Sequence, residues 1–375
     1  MRRIVVTGAG GLLGWHAAVR LHASNCAARF KGEPEPFAIV RVDHSTFSDP
    51  ISLRKAVVEA DAVLHFAGVN RGPNDDVERA NPAIAEALVS ACREAGSCPH
   101  IVYANSTHAL SDTPYGRSKR RAGEILSDFA PSFTDLILPH IFGEGARPFY
   151  NNVTATFVHQ VIYGEPSNAS PGAEVQLLHA GEAARIAIHA AVEGVAGVVR
   201  PPGRHTPVAE LLARIEDFHC AYESNVFPDL SDAFNVELFN SYRIVLYPHR
   251  FPRTLKLNVD ARGVLFEAAK GGGGGQTFLS WTDPGITRGN HFHLQKVERF
   301  LVLEGEAIIR IRRVLGGPIW EYRVRGQQPA AVDMPTLHTH SIENVGSKPL
   351  LTLFWTHDVF DPTAPDTYAD PVGEN

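Results

Sequence analysis

The texture of this sequence changes once, near residue 243, and that change limits the fold more than any single motif. Up to about residue 200, apolar runs alternate with helical patterns. RRIVVTG (2–8), FAIVRVD (37–43), DAVLHFAG (61–68), HIVYANS (100–106) and TDLILPH (134–140) read as strands, and NPAIAEALVSACREAG (81–96) reads as a helix between two of them. Alternation of this kind predicts an α/β unit, a doubly wound parallel sheet with helices on both faces. From about 250 the runs become short, β-like and separated by Gly, Pro and Asp: TLKLNV, QTFLSW, RFLVLEG, EAIIRIRRV, IWEYRV, PLLTLFW. Many short strands at regular spacing predict an all-β sandwich or barrel. The stretch 219–250 is aromatic and polar, carries Pro228 and Pro248, and is expected to join the two units. The expected domains are therefore 1–242 and 243–375. Gly271–Gly275 reads as a flexible loop between barrel strands, since no Lys-Ser/Thr follows it as a P-loop would require.

A chain of 375 residues is long enough for two or three cores. Its formal charge of −6 and pI near 6.3 argue against a nucleic-acid or membrane-surface partner. No apolar run is long enough to span a bilayer, and the apolar part of MRRIVVTGAGG is too brief and glycine-broken for a signal peptide. Cys26, Cys92, Cys98 and Cys220 show neither metal nor disulfide spacing, which suits a reducing cytoplasm.

Directly after Ile4-Val5-Val6, glycines at 8, 11 and 14 precede the helical pattern WHAAVRLHA. Glycine permits the tight turn and lets backbone N–H groups approach a pyrophosphate at the positive end of a helix. A plain strand-to-helix turn would look similar. Tyr115-Gly116-Arg117-Ser118-Lys119 adds weight, because a Tyr and a Lys four apart share a helix face. An ammonium there is expected to lower the tyrosine pKa and make Tyr115 a proton donor beside a carbonyl, with Ser106 bonding the same oxygen. On these residues the chain resembles the extended short-chain dehydrogenase/reductases over roughly 1–240. The resemblance implies a Rossmann-type fold and hydride transfer with nicotinamide through Ser106, Tyr115 and Lys119. It implies a cofactor site that includes Gly8, Gly11, Leu12, Leu13, Gly14, Arg41, Ala67, Gly68, Asn81 and Lys119. Related nucleotide-sugar 4,6-dehydratases carry Asp-Glu after the active-site Ser/Thr. Here Thr107-His108 follow Ser106, so plain reduction or oxidation is favoured over loss of water. Arg41 suits a 2′-phosphate and Asp43 a 2′-hydroxyl; the reading leans to NADPH over NAD.

The β-rich half holds a second pattern. Gly285, His291-x-His293, Glu298 and Gly305 are spaced as Gly-x₅-His-x-His-x₄-Glu-x₆-Gly, and Pro335, His340 and Asn344 follow. In a strand, residues two apart face one side, so His291 and His293 can point together into a barrel and meet Glu298 and His340. Three imidazoles and a carboxylate suit Zn²⁺, Fe²⁺, Mn²⁺ or Ni²⁺, with zinc foremost. The pattern resembles the cupins, small jelly-roll barrels. It departs from them at Leu337, a turn position where cupins usually have Gly. Asp260-Ala261-Arg262-Gly263, Phe266-Glu267 and Gly285–His291 also resemble the dTDP-4-keto-sugar 3,5-epimerases. That likeness implies Arg262, Glu267 and Arg288 as substrate residues and His291 as a base. His293, where those metal-free enzymes have Gln, favours a metal instead.

Over essentially the whole chain the sequence resembles the bifunctional capsular-polysaccharide enzymes of the CapF type. The likeness lies in GVNR (68–71), PYGRSK (114–119), FYNNVTATF (149–157), NVDARG (258–263), GITRGNHFH (285–293), HTHSIENVG (338–346) and FDPTAPDTY (360–368). It implies a cupin that epimerises C3 of a UDP-linked 2-acetamido-4-keto-6-deoxyhexose. A reductase domain would then reduce the C4 ketone with NADPH, giving the 6-deoxy-L-talose derivative on the way to N-acetyl-L-fucosamine. A reductase for another 4-keto nucleotide sugar, with the cupin a structural or dimerisation module, is the alternative. A homodimer is expected.

Overall fold

The structure, a computed structural model, describes residues 1–373. The chain divides into two compact units, residues 1–156 with 170–209, and residues 157–169 with 210 onward.

In the first unit six parallel strands form one sheet. Their order is Phe37–Val42, Arg2–Thr7, Ala62–His65, His100–Ser106, Phe133–Leu138, Gly197–Val199. The first strand shows why such a sheet must be covered on both sides. Ile4 and Val6 enter one apolar cluster with Ala17, Leu21, Ala183 and Ala187, whereas Val5 enters the other with Leu88, Ile101, Ala122 and Leu126. Buried on both faces, the strand reads as an uninterrupted apolar run. The helices Leu12–Phe30 and Ala180–Glu193 cover one face; Asn74–Ala95 and Pro114–Phe129 cover the other. Strand order reverses between the first and third strands, and the crevice at their carboxyl ends is where such sheets bind ligands. This is the Rossmann-type architecture expected from the alternating texture.

The second unit holds two five-stranded antiparallel sheets. One runs Arg253–Thr254, Ala330–Met334, Glu298–Glu304, Leu350–Thr356, Gln276–Thr282; the other runs Trp320–Arg325, Glu306–Arg313, His338–Asn344, Thr287–Phe292, Tyr368–Ala369. This is the cupin jelly roll. Residues 219–250 do more than join units. They contribute the helix Ala233–Arg243 and an aromatic cluster in which Phe227 stacks on Trp355 at 4.1 Å and Tyr222, Phe239 and Tyr242 meet. The packing groups residues 210–242 with the β unit. The glycine run 271–275 ends in a loop before Gln276, and a Cβ on Gly275 would stand 2.4 Å from the Thr356 carbonyl. Among the described residues no helix is long and apolar enough to cross a membrane.

Candidate active site and metal centre

In the first unit the chain leaves the strand Arg2–Thr7 and turns at Gly8, whose φ of +65° is the left-handed region. A Cβ on Gly8 would meet Ala67 N at 2.8 Å, and one on Gly14 would meet the Gly8 carbonyl at 2.1 Å. The loop therefore lies directly on Ala67, and the helix on the loop. Leu12 and Leu13 open that helix, whose N-cap, Gly11, has no side-chain cap. Its first N–H groups remain available to an anion.

Thr7 and His65, which carried no expected role, set this geometry. Thr7 Oγ1 accepts from Ala67 N at 3.2 Å and lies 2.8 Å from His65 Nδ1. A hydroxyl can serve two partners at once, so Thr7 ties Ala67 N to the imidazole. Burial, with Lys119 nearby, pushes His65 down to about 3, so it stays neutral. Asn81 closes the other wall. Its Nδ2 donates to Val69 O and Ser118 Oγ, both at 2.9 Å, and its Oδ1 accepts from Val69 N at 2.9 Å. A Cβ on Gly68 would stand 2.9 Å from Asn81 Oδ1 and 4.0 Å from Lys119 Nζ, so Gly68, Asn81 and Lys119 share one corner.

Ser106 ends the fourth strand, while Tyr115 and Lys119 sit on the helix Pro114–Phe129, which Thr113 caps by accepting from Gly116 N. Burial raises the Tyr115 phenol and a hydrogen bond with Ser106 draws it back. This corrects the expectation that Lys119 would hold the phenol low. The Lys119 ammonium donates to Ala104 O at 2.6 Å and lies 4.1 Å from the Tyr103 ring centre, and desolvation lowers it to about 7 against Asp135. Desolvation is the largest cause for both groups.

Arg41 and Asp43 lie exposed at the end of the second strand. Asp43 is already engaged: it caps a short helix, accepting from Thr46 N at 2.9 Å and Ser45 Oγ at 2.7 Å, and these bonds hold its carboxyl near 2.

In the second unit His291, His293, Glu298 and His340 converge, each offering one donor atom, all within 4.8 Å of one another. Backbone irregularity aims them. A β-bulge between Gly289 and His291, with Gly289 at φ +88° and Asn290 at +56°, brings His291 opposite His340. A Cβ on Gly289 would meet the His340 carbonyl at 2.9 Å. His293 Nδ1 donates to Asp366 O at 2.6 Å, and its Nε2 lies 3.1 Å from Glu298 Oε2. His340 Nδ1 lies 3.4 Å from His338 O. Its Nε2 is buried without a hydrogen-bond partner, 3.4 Å from the Glu298 carboxylate. Burial resists the Glu298 charge, yet His293 and His340 hold it well below the usual range. Burial, His340 and His293 together push His291 well below its ordinary value. Leu337, the departure from the cupin turn, adopts the left-handed conformation at φ +59°. Its side chain is buried, and its N–H donates to His293 O at 2.8 Å. The turn is kept at a cost of about 1 kcal/mol.

The cluster lies in a cavity of about 710 Å³ whose walls include Phe278, Trp281, Arg288, Lys296 and Phe354. Arg288, anchored by Thr282 Oγ1 at 2.9 Å, is thus brought to the metal ligands. Arg262 and Glu267 are not. Arg262 is exposed on the hairpin 257–266, paired with Asp260 at 2.6 Å, and Glu267 is exposed and paired with Lys270 at 2.9 Å.

A third group, His16, Glu144 and His179 in the first unit, also brings its donor atoms within 4.8 Å, all buried. No regular spacing announces it. The FDPTAPDTY block stood out in the sequence, but no spacing rule linked its Asp366 to a histidine 73 residues away.

Residues 4–199 match the NAD dependent epimerase/dehydratase family, and residues 258–368 match the polysaccharide biosynthesis C-terminal domain. The chain is 30% identical to a UDP-2-acetamido-2,6-beta-L-arabino-hexul-4-ose reductase of Pseudomonas aeruginosa, over 99% of each chain. Among solved structures it is similar to the capsular polysaccharide assembling protein CapF from Staphylococcus aureus. That match has 29% identity, a TM-score of 0.56, and coverage of 99% of this chain and 100% of the other. A structure of CapF with the inhibitor 3-isopropenyl-tropolone matches over the same shares at 29% identity and a TM-score of 0.53.

Proposed function

Since the chain belongs to the NAD dependent epimerase/dehydratase family and is a fusion of the CapF type, we propose that it is a bifunctional nucleotide-sugar enzyme. The β unit epimerises C3 of a UDP-linked 2-acetamido-4-keto-6-deoxyhexose, and the first unit reduces the C4 ketone to the 6-deoxy-L-talose derivative. The observation that carries the reading is Lys119 at the corner made by Gly68 and Asn81, with Tyr115 one turn before it on the same helix and Ser106 acting on the phenol.

Reduction needs a proton for O4 as hydride reaches C4. Tyr115 donates it, Ser106 hydrogen-bonds and orients the same oxygen, and Lys119 supports the resulting phenolate. NADPH, when bound, supplies the hydride. Gly8, Gly11, Leu12, Leu13 and Gly14 would hold its pyrophosphate, with Ala67, Gly68 and Asn81 forming the opposite wall. Asp43 caps a helix through Oδ1, and Arg41, exposed at the same strand end, is suited to a 2′-phosphate.

The 4-keto group acidifies the C3 proton, so a base can remove it and protonation from the other face inverts the centre. His291, His293, Glu298 and His340 would hold a divalent metal, zinc foremost, and the partnerless buried His340 Nε2 fits that assignment. Such an ion, when bound, supplies positive charge near O4. A tropolone, with two adjacent oxygen donors, is an inhibitor of the related CapF, which suits a metal-bearing cavity. Arg288 in the same wall offers a fixed cation to the diphosphate or to O4.

The test is NMR of the UDP-4-keto sugar with the protein in D₂O, before and after NADPH is added. Deuterium at C3 without NADPH, then a 4-hydroxy product with it, is the expected result. Reduction with hydrogen retained at C3 would assign the cupin a structural role on this sugar.

A further inference from the structure

Residues 294–297 link the His291-x-His293 pair to Glu298 and contribute no ligand, yet their backbone is held from two directions. On one side stands Asp366, in the C-terminal segment. Its Oδ1 accepts from Leu294 N at 2.9 Å, and its Oδ2 accepts from Gln295 N at 2.9 Å and Lys296 N at 2.8 Å. Its own carbonyl accepts from His293 Nδ1 at 2.6 Å. The neighbouring Pro365 carbonyl takes the Lys296 ammonium at 2.7 Å. From the other side, Asn240 donates to Gln295 O at 2.8 Å and Arg243 to Lys296 O at 3.3 Å. Asp366 makes its four bonds with φ at +41°, a conformation a non-glycine residue rarely takes. The segment is shaped around these contacts.

We propose that Asp366 is the positioning residue of the metal centre, an inference that rests on the metal reading above. Its carboxylate gathers three successive N–H groups and so fixes the span between His293 and Glu298. Its carbonyl holds the His293 proton on Nδ1, which leaves the Nε2 lone pair directed at the other ligands. One residue thereby sets both the tautomer of a ligand and the distance to the next. No sequence rule near the histidines encodes it.

The experiment is zinc binding to the full chain, by competition with a chromophoric chelator, for the wild type, Asp366→Ala, Asp366→Asn and Asp361→Ala. Asp361 only caps Thr363 in the same segment and serves as the control. The wild type should take one zinc per chain. Asp366→Ala removes the carboxylate that gathers the 294–296 N–H groups and leaves the carbonyl on His293 in place, and should raise the dissociation constant on the order of 10-fold by loosening the span between His293 and Glu298. Asp366→Asn should fall between, and Asp361→Ala should match the wild type. A cobalt(II) form of Asp366→Ala should show an altered visible spectrum at saturation, which a merely destabilised fold would not give. Equal affinity of Asp366→Ala and wild type overturns the proposal, as does an equal loss in Asp361→Ala. If Asp366→Ala fails to fold, by circular dichroism, unchanged affinity in Asp366→Asn overturns it. A wild type that binds no stoichiometric zinc sinks the metal reading itself, and is told apart because it needs no variant.

Discussion

Each unit of this chain contains a buried group of histidines and a glutamate whose donor atoms lie within 4.8 Å of one another. By distance alone the two are equivalent; by hydrogen-bond accounting they differ. In the first unit His179 Nε2 donates to Glu144 Oε2 at 2.8 Å while its Nδ1 accepts from Gly181 N at 3.3 Å. His16 Nε2 donates to the Glu144 carbonyl at 2.9 Å. One proton points at the Glu144 carboxylate and the other at its backbone carbonyl, so the group binds itself. In the second unit His293 Nδ1 is turned outward to a backbone carbonyl, and His340 Nδ1 lies against another. Of the inward atoms, His293 Nε2 lies 3.1 Å from the Glu298 carboxylate, and His340 Nε2 has no hydrogen-bond partner. Proximity marks a candidate; the direction of the protons decides whether a cation or a hydrogen bond belongs there.

The largest expected effect falls outside both clusters. Tyr115→Phe should lower NADPH-dependent reduction about 10²–10⁴-fold while leaving C3 deuterium exchange and zinc affinity untouched, read by NMR and chelator competition. A parallel fall in exchange would mean that the two chemistries share a site. Next, His340→Ala should weaken zinc binding more than about 100-fold, whereas Glu144→Gln should leave one zinc per chain. Zinc lost on changing Glu144 would erase the distinction.

Acid should act on the first cluster with a sign set by its two shifts. Burial lowers His16 from 6.5 to about 4 despite Glu144, so the unfolded chain binds the proton first and stability falls as pH drops from 6.5 towards 4. Burial works against Glu144, but His179 and His16 hold it near 2, so its contribution, full above 4.5, is lost between 4.5 and 2. Both limbs run the same way. Glu144→Gln should flatten the lower one, by on the order of 1–3 kcal/mol, in denaturant melts across pH. The smallest effect is on cofactor choice: Arg41→Ala should shift the NADPH/NADH ratio of kcat/KM by about 10-fold.

Much of this was legible because it is local. Parallel strands buried on both faces write continuous apolar runs, and a His-x-His pair follows from the period of a strand, so the sheet, the glycine turn and the meeting of His291, His293, Glu298 and His340 could be read from spacing. What escaped was set by the fold. Whether Lys119 lowers Tyr115 depends on how dry the helix face is, and burial won. Arg262 sits on a hairpin whose direction no short pattern encodes, and it points away from the cavity that Arg288 lines. His16, Glu144 and His179, like Asp366 and His293, meet only after the chain has closed long loops. Residues 219–250 looked like a connector because Pro228 and Pro248 interrupt their periodicity, while their aromatic side chains pack on the β unit.

The bulge at Gly289–Asn290 changes parity. Along a regular strand, residues three apart face opposite sides, so Arg288 and His291 could not look into the same chamber. Their partners across the ladder, Ile342 and His340, are two apart and share a side, and the extra residue lets Arg288 and His291 do likewise. One strand thus delivers a guanidinium and an imidazole to a single cavity. Removing one residue there would point one of the two at the opposite face of the sheet, with no change in the composition of the site.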